Sequence, residues 1–281
     1  MKKQKFTLRL MTLILFTLIV VSCQSEEGTN AEAEIDLKST ETEAALDKVS
    51  DETSVIIEEA YLIEAFPETK SSANERYLPD CVTITVVLVQ NMKTVTVDFG
   101  EGCELRNGNV VAGKLILEYE KDPEAATKLI SFEFDGFVFN DKEVSGGGSV
   151  LRKRANDNGN PESTKTADVT ATWPDGTFAN KNGTKVREWI EGYGTGAWGD
   201  NVYSITGNWT FTKKNGTVLN AQITEPLRRE LACKFIVSGT IALSKNDSSV
   251  LLNYGDGNCD DLATVSFNDG AEREIHLSNL R

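Results

Sequence analysis

Histidine is almost missing from this chain. His276 is the single one among 281 residues, which excludes a metal site built from several imidazoles and leaves Ser-His-Asp chemistry to one position near the C-terminus. No Walker loop, His-Glu-x-x-His or Gly-x-Ser-x-Gly occurs, so no familiar phosphate cradle, zinc-hydrolase helix or nucleophile elbow is in view. None of the five cysteines stands in a Cys-x-x-Cys pair, which disfavours thioredoxin-like redox work and paired zinc knuckles. Positive charge is short as well. Forty-three acids face 29 Lys+Arg, a net charge of -14, whereas a nucleic-acid binder displays a basic patch or stripe. The same excess disfavours broad adsorption to anionic lipid. There is one long apolar run, Leu10 to Val21, and it is shorter than the roughly 20 residues a bilayer-spanning helix needs.

That run has neighbours that explain it. Lys2, Lys3, Lys5 and Arg9 precede it and Val20-Val21-Ser22-Cys23 closes it, the basic, apolar and small-residue layout of a bacterial export signal. Cys23 stands directly after the apolar run in a sequence that resembles a lipobox, where a lipoprotein signal peptidase leaves an acylated N-terminal cysteine. Several acyl chains on one residue satisfy the need for more than one chain in firm anchoring. The expectation is a signal over residues 1–22 and membrane lipid as a partner through acylated Cys23. Gln24-Ser25-Glu26-Glu27 resembles the signal that sends lipoproteins of Bacteroidota to the outer membrane. The expected location is therefore that membrane, on its periplasmic or cell-surface face.

Residues 24–75 hold 15 acids and three lysines, so most of the negative excess lies here. Residues 23–39 are small, polar and acidic and read as a flexible tether, because such a segment buries too little to offset ordering. Residues 40–76 read as an acidic helical segment and linker. Leu46, Val49, Thr53, Ile56, Ala60 and Ile63 recur at alternating spacings of three and four, one stripe of a helix. Thr40 with Glu43 suggests a capping box, and Pro67 supplies a stop. The expectation is a helix docked by this stripe, with self-association and disorder as alternatives.

From residue 77 to 281 the period is two. Val82, Ile84, Val86 and Leu88 alternate with Thr83, Thr85 and Val87, and Val95, Val97 and Phe99 with Thr94, Thr96 and Asp98. A two-residue turn at Asn91-Met92 pairs Ile84 with Phe99, Val86 with Val97 and Leu88 with Val95, and brings Cys81 beside Cys103. Near the C-terminus, Cys233 opens a second hairpin that turns at Lys245-Asn246-Asp247-Ser248 and closes at Cys259. Its return strand ends Asn253-Tyr254-Gly255-Asp256-Gly257-Asn258-Cys259, close to Asp98-Phe99-Gly100-Glu101-Gly102-Cys103. The pairs Cys81–Cys103 and Cys233–Cys259 follow, as befits an oxidising compartment. Asn156-Asp157-Asn158-Gly159, Pro174-Asp175-Gly176, Asn182-Gly183 and Asn215-Gly216 read as turns. The fold class is all-β, an antiparallel sandwich, barrel or curved meander of about twelve strands, preceded by the acidic tether with one helix. The related end hairpins without a repeat between them point to one core.

Candidate binding residues cluster in Arg187-Glu188-Trp189-Ile190-Glu191-Gly192-Tyr193-Gly194-Thr195-Gly196-Ala197-Trp198-Gly199-Asp200. Trp189, Tyr193 and Trp198 offer flat faces that stack on a sugar or an aromatic side chain. The bland counterpart is that the tryptophans close one end of the core and Arg187 pairs with Glu188 or Glu191. Adjacent Arg228 and Arg229 suit a carboxylate or sulfate, or an interior ion-pair network. Among Glu188, Glu191 and Asp200 a glycosidase pair is conceivable, but spacing alone specifies nothing. Asp256, Asn258, Asp260 and Asp261 read as a hydrated acidic turn rather than a calcium loop. No catalytic residue, metal or cofactor is assigned.

Leu78-Pro79-Asp80-Cys81-Val82-Thr83, the Gly-Cys ends of both hairpins, Arg187–Gly194 and Pro226-Leu227-Arg228-Arg229, with the lipobox and acidic leader, resemble a group of uncharacterised lipoproteins of marine and soil Bacteroidota, especially Flavobacteriia. The resemblance implies an envelope lipoprotein and carries no activity with it. The expected function is binding of a glycan or an envelope protein partner. A polysaccharide hydrolase is the alternative, and a structural or carrier envelope lipoprotein a further one.

Overall fold

A computed structural model of the chain describes residues 35–65, 76–122 and 124–280. The export signal, Cys23 and the tether up to residue 34 lie outside the described residues. Residues 35–281 form one compact unit. The whole described core and both disulfides belong to it.

Helix α1 spans Leu37–Ala65. It begins three residues before Thr40, because Asp36 takes the N-cap: its Oδ1 accepts from the Ser39 backbone N–H at 2.8 Å. The Thr40–Glu43 capping box is thus not used. Leu46, Val49, Thr53, Ile56 and Ala60 are buried, as their spacing predicts, with Ile63 packed at the margin. Burial does not stop at that stripe. Residues 43–47 and 49–53 are buried without interruption, and five successive helical residues cover more than a full turn. From residue 43 to 53 the helix is covered nearly all the way round.

What encloses it is a single antiparallel meander. Its strands are β1 Thr83–Val89, β2 Met92–Asp98, β3 Cys103–Glu104, β4 Val110–Glu120, β5 Thr127–Phe139, β6 Lys142–Lys153 and β7 Glu162–Thr172. There follow β8 Phe178–Glu191, β9 Val202–Lys213, β10 Val218–Glu230, β11 Ser238–Lys245, β12 Ser248–Asp256, β13 Leu262–Phe267 and β14 Glu272–His276. Each pairs with its neighbours in the chain, except that the two-residue β3 adds to β4 and leaves β2 beside β4. β1 and β14 do not meet, so the sheet stays open. Of the three expected architectures, the curved meander is the one adopted, and α1 supplies its second layer.

Both disulfides form as the spacing predicts, Cys81–Cys103 with Cα atoms 5.8 Å apart and Cys233–Cys259 with 5.7 Å. Loops of this length correspond to roughly 3–4 kcal/mol each on the chain-entropy estimate.

Two local expectations are corrected. The first hairpin turns at Gln90-Asn91, with Gln90 in the left-handed region at φ 56°. The register is therefore displaced by two, pairing Ile84 with Val97, Val86 with Val95 and Leu88 with Lys93. Val95, Val97 and Phe99 are buried, whereas Val86 and Leu88 are exposed. Asn182-Gly183 is not a turn but the middle of β8. A Cβ on Gly183 would lie 2.4 Å from the Cα of Trp209, so glycine is required there by the close approach of the tryptophan on β9.

Gly183→Ala is therefore expected to lower stability by about 1–3 kcal/mol, the usual cost of forcing volume into a packed core. Gly199→Ala, which meets nothing within 4 Å, should leave the thermal midpoint unchanged. Equal midpoints for both variants in a denaturation scan would contradict this packing.

Candidate functional site

Strand β8 decides where the candidate residues go. Ala179, Lys181, Lys185, Arg187 and Trp189 alternate onto the buried face, and Glu188 onto the outer one. Trp189 donates its indole N–H to the Glu191 carbonyl at 2.7 Å and packs against Tyr203 at 5.2 Å between ring centroids. Trp198, in a short 3-10 turn over Trp198–Asp200, is half-buried against the Tyr77 ring at 5.7 Å. Trp209 is buried. Tyr193 alone presents an open face, 53% exposed, with its edge on Trp189 at 5.0 Å.

The acids near these rings have fixed partners. Glu188 accepts from Asn158 at 3.0 Å and from Asn160 at 2.9 Å, and the amides of Asn156, Asn158 and Asn160 hold its carboxyl below the usual range. Glu191 pairs with Arg228 at 2.9 Å, and Arg228 also with Glu230 at 2.7 Å. Asp200 accepts from Thr195 at 3.1 Å. Asp256 is bonded within its own turn by Asn258 at 2.8 Å, and Asp261 by Ser278 at 2.5 Å and the exposed His276 at 3.2 Å. Among the described residues, no group of three or more His, Cys, Asp or Glu is arranged to hold a metal ion.

Arg187 and Arg229 point inward, and their partner is on the helix. Asp51 of α1 accepts from Arg229 Nε at 2.8 Å and lies 3.5 Å from Arg187, so Arg187 does not pair with Glu188 or Glu191. The Arg187 guanidinium also stacks on Tyr203 at 4.0 Å. One turn earlier, Asp47 is gripped by both Lys181 and Lys185. Glu43 lies 3.4 Å from Lys181 and accepts from the Trp209 indole at 2.9 Å. Further along α1, Glu52 accepts from Tyr77, Asn107 and Asn109. Glu58 pairs with Arg152 at 2.8 Å, and Glu64 with Lys93 and Tyr119. These acids of the helix are therefore buried or half-buried along with its apolar stripe, matched by bases from β2, β6, β8 and β10.

Electrostatics follow from the matching. Burial alone would raise the Asp47 carboxyl, but the ammonium groups of Lys181 and Lys185 outweigh it and hold it well below the usual carboxylate range. Asp51 behaves likewise: burial is outweighed by Arg187 and Arg229. Burial dominates at Glu43 and pushes it up, despite Lys181. Lys165 of β7 donates to the Ser50 carbonyl and hydroxyl, and burial next to Lys185 and Lys181 drives its amine well below the usual lysine range.

At the opposite end of the sheet the chemistry is different. β1 reads Thr-Ile-Thr-Val-Val-Leu-Val, with no charge, proline or glycine. Val86, Val87, Leu88 and Val89 are 42%, 53%, 47% and 64% exposed. Side chains alternate across a strand, so over residues 86–89 both faces of this edge are apolar and open, while Thr83 and Thr85 put hydroxyls on one face of its first half. Among the described residues no strand pairs with its outer side. The β14 edge is shorter and carries exposed Glu272, Arg273 and Glu274, the usual protection of an open sheet.

No protein family, curated protein or solved structure gives a match to this chain.

Asp47→Asn leaves Lys181 and Lys185 facing a neutral amide, and at neutral pH it is expected to cost roughly 3–5 kcal/mol, as for other broken buried pairs. The Asp47 carboxyl is depressed in the folded state from an ordinary 3.8. Its contribution is therefore complete above about pH 4–5 and fades as pH falls towards the folded value. Denaturant unfolding of both proteins across pH 2–7 should show the gap closing on acidification. A gap that widens towards low pH would refute the assignment.

Proposed function

We propose that the chain is an envelope lipoprotein, anchored through acylated Cys23, whose folded unit binds a protein partner by strand addition at β1. The export layout and Val20-Val21-Ser22-Cys23 support the anchor. The single observation that carries the binding reading is the undefended β1 edge beside a defended β14 edge in one sheet. An open row of backbone donors and acceptors is a ready template for a further strand. Since β1 is uncharged throughout and apolar on both faces over residues 86–89, the strand it takes is uncharged over about seven residues, the length of β1, and apolar on both faces where it meets residues 86–89.

A glycan platform has less support. It retains only Tyr193 as an open ring, with Trp189 and Trp209 committed to the core. Hydrolysis has less again, since Glu188, Glu191 and Asp200 are each held by a neighbour.

The test places a photo-crosslinking residue at Val87 or Thr206 of the full chain in its native envelope. Thr206 is an exposed position in the middle of the sheet. A discrete adduct from Val87 that is missing from Thr206, and that Val89→Lys abolishes, is the expected result. Identical adducts from both positions, or an adduct only of two copies of this chain, would contradict it.

A further inference from the structure

The loop between β10 and β11 folds over the middle of α1 and leaves a shallow cleft, its space about 430 Å³ when the part open to solvent is included. Its apolar wall is Phe235, Ile236, Leu277 and Leu280, and its basic end is Lys48 of α1 with Lys234. Most cations that face α1 have a carboxylate: Arg152 has Glu58, Lys181 and Lys185 have Asp47, and Arg187 and Arg229 have Asp51, while Lys165 donates to Ser50 and Lys142 lies over the Trp173 ring. Lys48 and Lys234 form no ion pair among the described residues. The acids that also line the cleft are already engaged, Asp47 and Asp51 by those bases and Glu52 by Tyr77, Asn107 and Asn109.

Lys48 sits 5.5 Å above the Phe235 ring, at the junction of the basic end and the apolar wall. We propose that this cleft binds an amphipathic anion, a carboxylate head between Lys48 and Lys234 with a single short alkyl chain against Phe235, Ile236, Leu277 and Leu280. Two neighbouring ammonium groups without a counter-charge, beside a partly exposed apolar wall, are an unfavourable arrangement on their own, and an anion with a tail relieves both parts of it. The field around Lys48 agrees. Burial, and then the nearby Lys234, lower its ammonium to about 8, with Lys142 and Arg229 acting in the same sense and Glu52 against them. A bound carboxylate adds the counter-charge that the site lacks.

The experiment uses the compact unit of residues 35–281, which contains its whole described core, and titrates it with octanoate, octanol and acetate by calorimetry. Octanoate should bind one to one at pH 7, and octanol and acetate at least tenfold more weakly, since each lacks one half of the ligand. Lys48→Met and Lys234→Met should each weaken octanoate at least tenfold with the thermal midpoint unchanged. The Lys48 side-chain resonance should titrate at higher pH with octanoate bound, and octanoate affinity should fall as pH rises through about 8. Octanol binding as tightly as octanoate, no octanoate binding, or affinity untouched by both substitutions would overturn the proposal.

Discussion

Asp47 and Asp51 each lie between two cations of the sheet, enclosed with them away from water. Removing such charges from solvent is costly, and the cost is offset only where partners are in place on every side. The partners come from β8 and β10 while the carboxylates come from α1. Neither element is complete alone. A bare sheet would expose Lys165, Lys181, Lys185, Arg187 and Arg229 on the same surface as its apolar side chains. A bare helix would display acids and aliphatics with no consistent polar side. The charge matching thus makes helix and sheet one cooperative object, and it fixes the position of the helix along the meander more sharply than apolar contact would.

That position accounts for the exposed edge. The N-terminal end of α1 meets Lys213 on β9, and its C-terminal end meets Tyr119 on β4 and Lys93 on β2. Among the described residues, no hydrogen-bond or ion-pair partner of the helix lies on β1. The cover ends one strand short of the sheet, so the apolar residues of β1 stay open on the side that would otherwise face the helix. The same hydrophobic strand that reads as half-buried in the sequence is, by this geometry, the surface left for another chain.

How much of this was legible depends on the range of each interaction. The disulfides and most turns were readable because they join residues close in the chain, and the helix stripe because its period is local. The first hairpin slipped by two residues because Gln90, an unusual residue for a left-handed position, carries the turn in place of Asn91-Met92. Asn182-Gly183 has turn chemistry, but its glycine answers to Trp209 across the sheet. The buried bases were the hardest to see. Period two says which residues share a face, not which face is inside, and Lys181, Lys185 and Arg187 are ordinary surface residues by type. One clue was present: they share a face with Ala179, Gly183 and Trp189, whereas the other face carries Asn180, Asn182, Thr184, Val186 and Glu188. The burial of the acids of α1 was hidden for the same reason, since their counter-charges lie on strands far along the chain.

Hydrogen exchange of the α1 amides tests this account most directly. If α1 is held within the sheet by paired charges, its central amides from Leu46 to Ile57 exchange only through global unfolding, with the same opening free energy and denaturant dependence as β8 and β9. Exchange of α1 through a separate, lower-energy opening while β8 and β9 stay protected would show a helix merely resting on a sheet that is stable without it.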